Sequence, residues 1–431
     1  MGALRILFEG INIGLVIYLI FFAKKETEST WAWILLLFCF PVLGFFLFWI
    51  TGQNLGRRKD KGEDDGIGGV TEDNHIEILV SGEEKFRAVF SDILSAKREI
   101  LIQYYIFKDD CLFWQLGKLL EKKASEGVKV RVLYDGLGSW KIPLKKWKEM
   151  KKGGIEVKPF RHVVQKNGLF AFCGFNYRNH RKIIVIDNYI GYLGGYNVGK
   201  EYLGLEPRFG CWRDTHFRVV GSAVNSLRNV FFQDWGEEKS VVFSEGGYGG
   251  CALQMVAGGP FSSAPHIRNV YLRCIGNAKK KIRIQTPYFI PDGAVLNALK
   301  LALLSGKEVY IMIPVKPDHM FVYWASLYYA AQLLQMGAKI FIYKKGFMHA
   351  KGIIMDEDVC CYGTANMDIR SFHLNYEINA IIYGETEVKK MCEIFNGDLE
   401  NCKQLTEQEY ASRNLKIRIK EHISRLLSPL L

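Results

Sequence analysis

None of the ten cysteines in this 431-residue chain forms a CxxC pair, and none stands at metal-ligand spacing from a histidine. Zinc-ribbon and dithiol-redox readings are thereby excluded. Cys360 and Cys361 are adjacent within an expected strand, a poor geometry for a mutual bridge. The pattern reads as buried thiols in a reducing compartment. Clustered carboxylate ligands are missing too, so no metal or other cofactor is expected. At the N-terminus there is no basic leader and no small-residue cleavage site, which argues against a signal peptide. Acidic residues are in deficit: 45 Asp and Glu against 57 Lys and Arg leave a net charge of +12. That balance favours an anionic partner, whether nucleic acid, acidic lipid or a phosphorylated substrate, and does not choose among them.

What the chain has in quantity is apolar sequence, 49% of residues, with a mean hydropathy near zero. Trp31 to Ile50 is a run of twenty uncharged, mostly apolar residues. As a helix it would cover the ~30 Å hydrocarbon core, with Trp31, Trp33 and Trp49 near its ends. A weaker apolar stretch, about 3–23, is interrupted by Glu9 and Asn12. Together they predict a two-helix membrane anchor over 1–55, spans about 3–23 and 31–50, joined by a short polar turn. Arg57, Arg58, Lys59 and Lys61 follow the second span, while Lys24 and Lys25 lie in the turn. Counting basic residues puts everything after Ile50 on the cytoplasmic side of the cell membrane. Residues 56–73, rich in Gly and charge, read as a linker.

The remainder repeats itself. AKREILIQYYIFKDD from Ala96 is matched by AKKKIRIQTPYFIPD from Ala278. GVKVRVLYD and GIEVKPF in the first half are matched by GKEVYIMIP and GAKIFIY in the second. Apolar strands alternating with helical stretches imply βαβ units and a mostly parallel sheet. The expectation is two similar α/β domains, 74–240 and 241–431.

Each half ends in the same six-position pattern. The first copy is His180, Lys182, Asp187, Gly194, Gly195 and Asn197; the second is His349, Lys351, Asp356, Gly363, Thr364 and Asn366. All offsets within the two copies agree. Residues two apart on a strand share a face, so one imidazole and one ammonium project together. A lone His-x-Lys carries little information; the pattern repeated in a duplicated chain is specific. Phosphodiester exchange needs cations around a charged phosphorane-like transition state, which Lys182 and Lys351 supply, with Asn197 and Asn366 as amide donors to the substrate phosphate. A neutral imidazole is a nucleophile and a protonated one an acid, and histidine reaches both forms near pH ~6.5. Asp214 and Glu377, one in each half, are candidates to fix the histidine tautomers.

At these residues the chain resembles the phospholipase D superfamily, with its two HxKxxxxD motifs each followed by GxxN. Within it the resemblance is to bacterial-type cardiolipin synthases and covers nearly the whole chain: RNHRKIIVID, GGYNVGKEYLG, FGCWRDTH, QTPYFIPD, GTANMDIRSFHLNYEINA and RLLSPLL. The resemblance implies two phospholipase D-like domains that condense two phosphatidylglycerols into cardiolipin and glycerol, without nucleotide or metal. It implies a phosphatidyl-histidine, with His180 as nucleophile and His349 as acid, then base; the motif's symmetry also permits the reverse. Asp187 and Asp356 match the motif aspartates, with the strand end and the lysine to hold. Membrane lipid is the expected partner and nucleic acid is not. A hydrolytic phospholipase D is the alternative; a superfamily nuclease and a non-catalytic membrane scaffold rank below it. Two weaker signals remain. The C-terminal LKIRIKEHISRLLSPLL reads as a basic amphipathic helix, resting on anionic lipid or packed on the second domain. Phe321, Tyr323, Trp324, Tyr328 and Tyr329 read as core, with an acyl-chain groove as the minor alternative. His162, His216, His319 and His373 lack a motif and read as structural.

Overall fold

The computed structural model describes residues 2–23, 27–49, 68–160, 176–237, 249–315 and 318–428. The basic cluster at 57–61, Lys24 and Lys25, most of the expected linker, His162, Cys173 and the expected 240/241 boundary lie outside the described residues. The chain divides into two compact units, Met1–Glu63 with Arg161–Tyr177, and Asp64–Phe160 with Arg178–Leu431.

The first unit contains three helices, α1 (Gly2–Phe21), α2 (Thr27–Cys39) and α3 (Pro41–Leu47). The expected continuous span over 31–50 is broken at Phe40. Pro41 has no N–H, so the Leu37 carbonyl four residues back loses its helical donor. Asn12 of α1 replaces it, donating from Nδ2 to Leu37 O at 3.0 Å and to Pro41 O at 2.9 Å. The chain then folds back: a Cβ on Gly44 would stand 2.6 Å from the Leu36 carbonyl oxygen. Leu19, Leu37 and Phe48 form the small core of the unit. The stretch expected over 3–23 is helical as α1, and that over 31–50 is divided between α2 and α3; no helix among the described residues is long and apolar enough to cross a membrane.

The second unit is built on one sheet. Its first half supplies β1 (Thr71–Leu79), β2 (Glu99–Tyr104), β3 (Lys129–Asp135), β4 (Glu156–Phe160), β5 (Ile183–Ile186), β6 (Ile190–Gly194), β7 (Cys211–Arg213) and β8 (His216–Val220). The second half supplies β9 (Cys251–Gly258), β10 (Lys281–Gln285), β11 (Phe289–Ile290), β12 (Glu308–Pro314), β13 (Lys339–Tyr343), β14 (Gly346–Met348), β15 (Gly352–Met355), β16 (Val359–Gly363), β17 (Met367–Asp368) and β18 (Glu377–Ile382), followed by β19 (Cys402–Leu405). Fifteen of these strands pair in the order β19-β13-β12-β10-β15-β16-β18-β9-β1-β8-β6-β5-β2-β3-β4. Read outward from the antiparallel β1/β9 seam, the two sides repeat strand for strand, with β19 added at one edge. The sheet is mixed. Only the outer strands β2-β3-β4 and β10-β12-β13 are parallel, whereas the motif hairpins β5/β6 and β15/β16 are antiparallel. The parallel βαβ pairing expected from the sequence is thus confined to the outer strands of each half.

Alternation along the strands fixes the layers. Leu101, Ile183 and Val185 face a core shared by both halves, where Met312, Ile354 and Tyr362 meet them under α7 (Ala223–Trp235) and α12 (Glu385–Leu399). Ile100, Ile102, Ile184 and Ile186 point the other way, into a core under α4 (Gly82–Ser95), α5 (Cys111–Ser125) and α6 (Leu144–Lys152). The matching core of the second half lies under α8 (His266–Asn277), α9 (Gly293–Leu304) and α10 (Met320–Leu334). Strands covered on both faces are continuously apolar, which is why IIVI and GIIM lack a polar alternation. Each fully buried Ile, Leu or Val side chain contributes roughly 1.5–3 kcal/mol, so the shared core holds the halves as one body. The short α11 (Ile369–His373) follows β17, and α13 (Glu407–Ala411) and α14 (Leu415–Leu426) end the chain.

Candidate active site

His180 and Lys182 lie in extended chain just ahead of β5, and His349 and Lys351 just ahead of β15. The backbone ties each histidine to the other half. His180 N–H donates to Tyr376 O at 2.9 Å, and His349 N–H donates to Arg213 O at 2.7 Å. These are the residues immediately before Glu377 and Asp214. The two carboxylates therefore cross over: His180 Nδ1 is 2.9 Å from both oxygens of Glu377, and His349 Nδ1 is hydrogen-bonded to Asp214 Oδ2. Asp214 and Glu377 each contact the histidine of the other half. Neither half alone contains a complete histidine–carboxylate pair.

Glycine and threonine differ at equivalent positions for a reason visible at the carboxylates. Gly195 packs flush on Asp214; a Cβ there would stand 2.1 Å from Oδ1. Thr364 takes the equivalent place in the second half, and its hydroxyl donates to Glu377 Oε2 at 2.5 Å. Ser371 Oγ at 3.0 Å and Asn375 Nδ2 at 3.2 Å donate to the other oxygen, Oε1. Sequence reasoning missed Ser371 and Asn375. The signal available was the replacement of Gly-Gly by Gly-Thr beside a longer carboxylate.

The lysines are fully buried. Lys182 Nζ donates to His180 O at 2.7 Å. Lys351 Nζ lies 2.8 Å from His349 Nδ1 and 3.5 Å from Asp214 Oδ2. Burial drives Lys182 down to about 7 and Lys351 down to about 8, against the opposing pull of Glu377 and Asp214. Burial likewise lowers both histidines. It acts to raise Asp214 and Glu377, but the neighbouring lysines and histidines outweigh it, and both carboxyls stay below their ordinary range. Charges of both halves thus act on one another, as a shared site requires.

Asp187 and Asp356 are not brought to this site. Each closes its strand in a left-handed turn, with φ of +53° and +50°. Asp187 accepts the N–H groups of Lys97, Arg98 and Glu99 at 2.7–2.9 Å, and Asp356 those of Lys279, Lys280 and Lys281 at 2.7–2.8 Å. Seven residues of extended chain put them on the order of 20 Å from the histidines. Of the two tasks expected of them, the strand end and the lysine, these bonds show the first, a clip on the starts of β2 and β10; no hydrogen bond joins them to the motif lysines. Asn197 accepts from Ile106 N–H at 3.2 Å and donates to Tyr202 OH at 3.0 Å, while Asn366 donates to Asp368 at 3.1 Å.

Aromatic rings wall the histidines. Tyr105 meets His180 edge-on at 5.0 Å, and Trp212 meets His349 at 5.0 Å with Phe347 at 5.6 Å. Tyr323, Trp324 and Tyr329 pack against the core of the second half and Tyr328 bonds Arg425, while Phe321 is exposed. His216 is buried between Tyr192 and Tyr196, and His373 pairs with Asp292 at 3.2 Å. The nine described cysteines are free thiols. Among the described residues no three His, Cys, Asp or Glu side chains are grouped as a metal-ligand set.

Two HxKxxxxD motifs facing each other across a pseudo-two-fold, each histidine clamped by the other half, define a phospholipase D-type site. The family model for "Cardiolipin synthase, PLD-like domain" matches twice, over residues 89–225 and 271–399. A phospholipase D-nuclease N-terminal model matches residues 10–53. The major cardiolipin synthase ClsA of Bacillus subtilis is 43% identical, over 99% of this chain and 98% of its own. A cardiolipin synthase of Oceanobacillus iheyensis is 42% identical, over 98% and 97%. The chain belongs to the bacterial cardiolipin synthase family, and phosphatidyl transfer is its reaction class. The crystal structure of phosphatidylserine synthase from Haemophilus influenzae shares the fold, with a TM-score of 0.61 at 15% identity over 83% of this chain and 95% of that one.

Proposed function

We propose that the protein condenses two phosphatidylglycerol molecules into cardiolipin and free glycerol, reversibly, through a phosphatidyl-histidine. The observation that carries this is the reciprocal pairing of His180 with Glu377 and His349 with Asp214. A carboxylate only accepts, so Glu377 holds the proton of neutral His180 on Nδ1 and leaves the Nε2 lone pair for attack on phosphorus. Asp214 does the same for His349: it accepts from Nδ1–H, so Nε2 is the nitrogen that gives a proton when the ring is doubly protonated and takes one up when it is neutral.

His180 Nε2 therefore bonds to phosphorus as the bond to the glycerol oxygen breaks, and His349 gives its Nε2 proton to the departing glycerol. A hydroxyl of the second phosphatidylglycerol then returns a proton to His349 and attacks phosphorus, and the P–N bond breaks. Lys182 and Lys351 stabilise the charge on the phosphoryl oxygens, and Asn197 and Asn366 are proposed as further donors to them.

Exchange of one phosphodiester for another is nearly isoenergetic, while hydrolysis is downhill, so a transferase has to keep water from the intermediate. The side chains of His180 and His349 are only 12% and 10% exposed, behind the Tyr105 and Trp212 rings. The same reading makes residues 2–49 a membrane-inserted anchor. Ile13, Phe21, Phe22, Trp31, Phe38 and Leu43 are among the many large apolar side chains it exposes, more than a water-facing unit of this size carries. The basic residues at 57–61 favour a cytoplasmic catalytic region. Incubating the protein with labelled phosphatidylglycerol tests the reaction. Cardiolipin and glycerol are expected, and added glycerol should drive cardiolipin back. Dominant phosphatidic acid without back-reaction would establish hydrolysis instead.

A further inference from the structure

Helix α14 is inside out. It packs along α10, and the residues it turns inward are polar: Glu421 and Ser424 are each 1% exposed. Glu421 Oε2 accepts from Tyr410 OH at 3.0 Å and pairs with Arg413 at 2.9 Å. The apolar residues face out instead, with Leu415 69%, Ile419 48%, Ile423 50% and Leu426 71% exposed. At ~100° per residue these four fall within an arc of roughly 80°. Lys416 and Lys420 border that arc on one side, Arg418 and Arg425 on the other, and all four are exposed. Glu421 is the only acidic residue of the helix, and it is buried.

An ordinary surface helix buries its apolar stripe and presents its charges. The reverse, with cations on both flanks of an outward apolar arc, is the arrangement of a helix lying in a lipid interface. There the stripe enters the headgroup–acyl boundary, and the long basic side chains reach lipid phosphates. A protein partner covering the stripe would cover the flanking cations as well and would need carboxylates opposite them. A second copy of this chain, itself at +12, offers cations instead. We propose that α14 is an in-plane docking helix that seats the catalytic region on an anionic bilayer surface. This goes beyond the phosphatidyl-transfer reading and does not depend on it.

The test uses the full chain reconstituted in phosphatidylglycerol vesicles, with a benzoylphenylalanine photocrosslinker at position 419 and, as control, at the exposed position 94 of α4. Lipid adducts at 419, at least five-fold above position 94, are expected. Adducts between two protein chains, or lipid adducts no higher than the control, overturn the proposal. A second arm separates docking from chemistry. In the double variant Ile419→Asp/Ile423→Asp, at positions already in water in the fold, activity on vesicles should fall at least ten-fold while activity on detergent-dispersed phosphatidylglycerol stays unchanged. Equal activity of variant and parent on vesicles contradicts docking. If the parent turns over neither substrate form, the functional reading fails, and the crosslinking arm still decides α14.

Discussion

His180 Nδ1 and the carboxylate of Glu377 are 2.9 Å apart across 197 residues of sequence, and the reciprocal contact joins His349 to Asp214. The duplicated halves are thus interlocked at their reacting groups. Removing the negative charge of Glu377 leaves the shape of the site but not the tautomer. Glu377→Gln is expected to lower kcat by roughly 10²–10⁴-fold with a much smaller change in KM, and Asp214→Asn to do likewise. Steady-state kinetics at several lipid surface concentrations separates the two constants.

Nucleophile and acid act as one unit. His180→Asn and His349→Asn should each abolish cardiolipin formation, and the double variant should lose little beyond either single one. Near-normal product from either single variant would rule out the two-histidine mechanism.

Thr364 is a finer probe. A hydrogen bond to a charged acceptor contributes about 1.5–3 kcal/mol, so Thr364→Val, which keeps the shape and removes the donor to Glu377, should slow turnover about 10–100-fold. Thermal unfolding of the variant, followed alongside, should move far less than the rate.

Asp356 predicts the opposite division. Burial acts to raise its carboxyl, but three backbone N–H donors outweigh it and hold the pKa low. A depressed carboxyl contributes stability above its unfolded value of ~3.9 that is lost as pH falls through the folded value. Asp356→Asn should therefore lower stability by about 2–4 kcal/mol at neutral pH and by less in acid, with the turnover of the folded fraction nearly intact. Denaturant titrations at two pH values read the difference directly.

The buried lysines set a pH window. With Lys182 down at about 7 and Lys351 at about 8, the free enzyme loses its phosphate-binding charge as pH rises through that range. The alkaline limb of kcat/KM is expected there. Because Asp214 raises Lys351, Asp214→Asn should move that limb to lower pH.

Much of this was legible in the sequence, and the failures have physical causes. The duplication, the six-position pattern and the two orienting carboxylates are local strings with fixed offsets, so they survive reading in one dimension. The cross-pairing of Glu377 with His180 is not local; it depends on the β1/β9 seam and on backbone bonds such as His180 N–H to Tyr376 O. Asp187 and Asp356 were legible as the turn residues that close β5 and β15, because they follow the apolar run directly; their backbone partners at 97–99 and 279–281 were not, being distant in sequence. Pro41 and Gly44 were legible as kink sites in the second apolar stretch; that the missing N–H of Pro41 divides it into two helices was not, because hydropathy counts Pro41 as one residue in twenty. Asn12, which weakened the first apolar stretch, is the donor that repairs the break.

The most direct measurement of the central claim is to trap the covalent intermediate. With His349→Asn and phosphatidylglycerol labelled in its phosphate, acid- and base-quench experiments followed by peptide mapping should find the phosphatidyl group, base-stable and acid-labile, on His180. The same experiment with His180→Asn should find no label on the protein. Label on His349 in the His180→Asn protein and none on His180 in the His349→Asn protein would reverse the assignment, and an unlabelled protein that still forms cardiolipin would contradict the account.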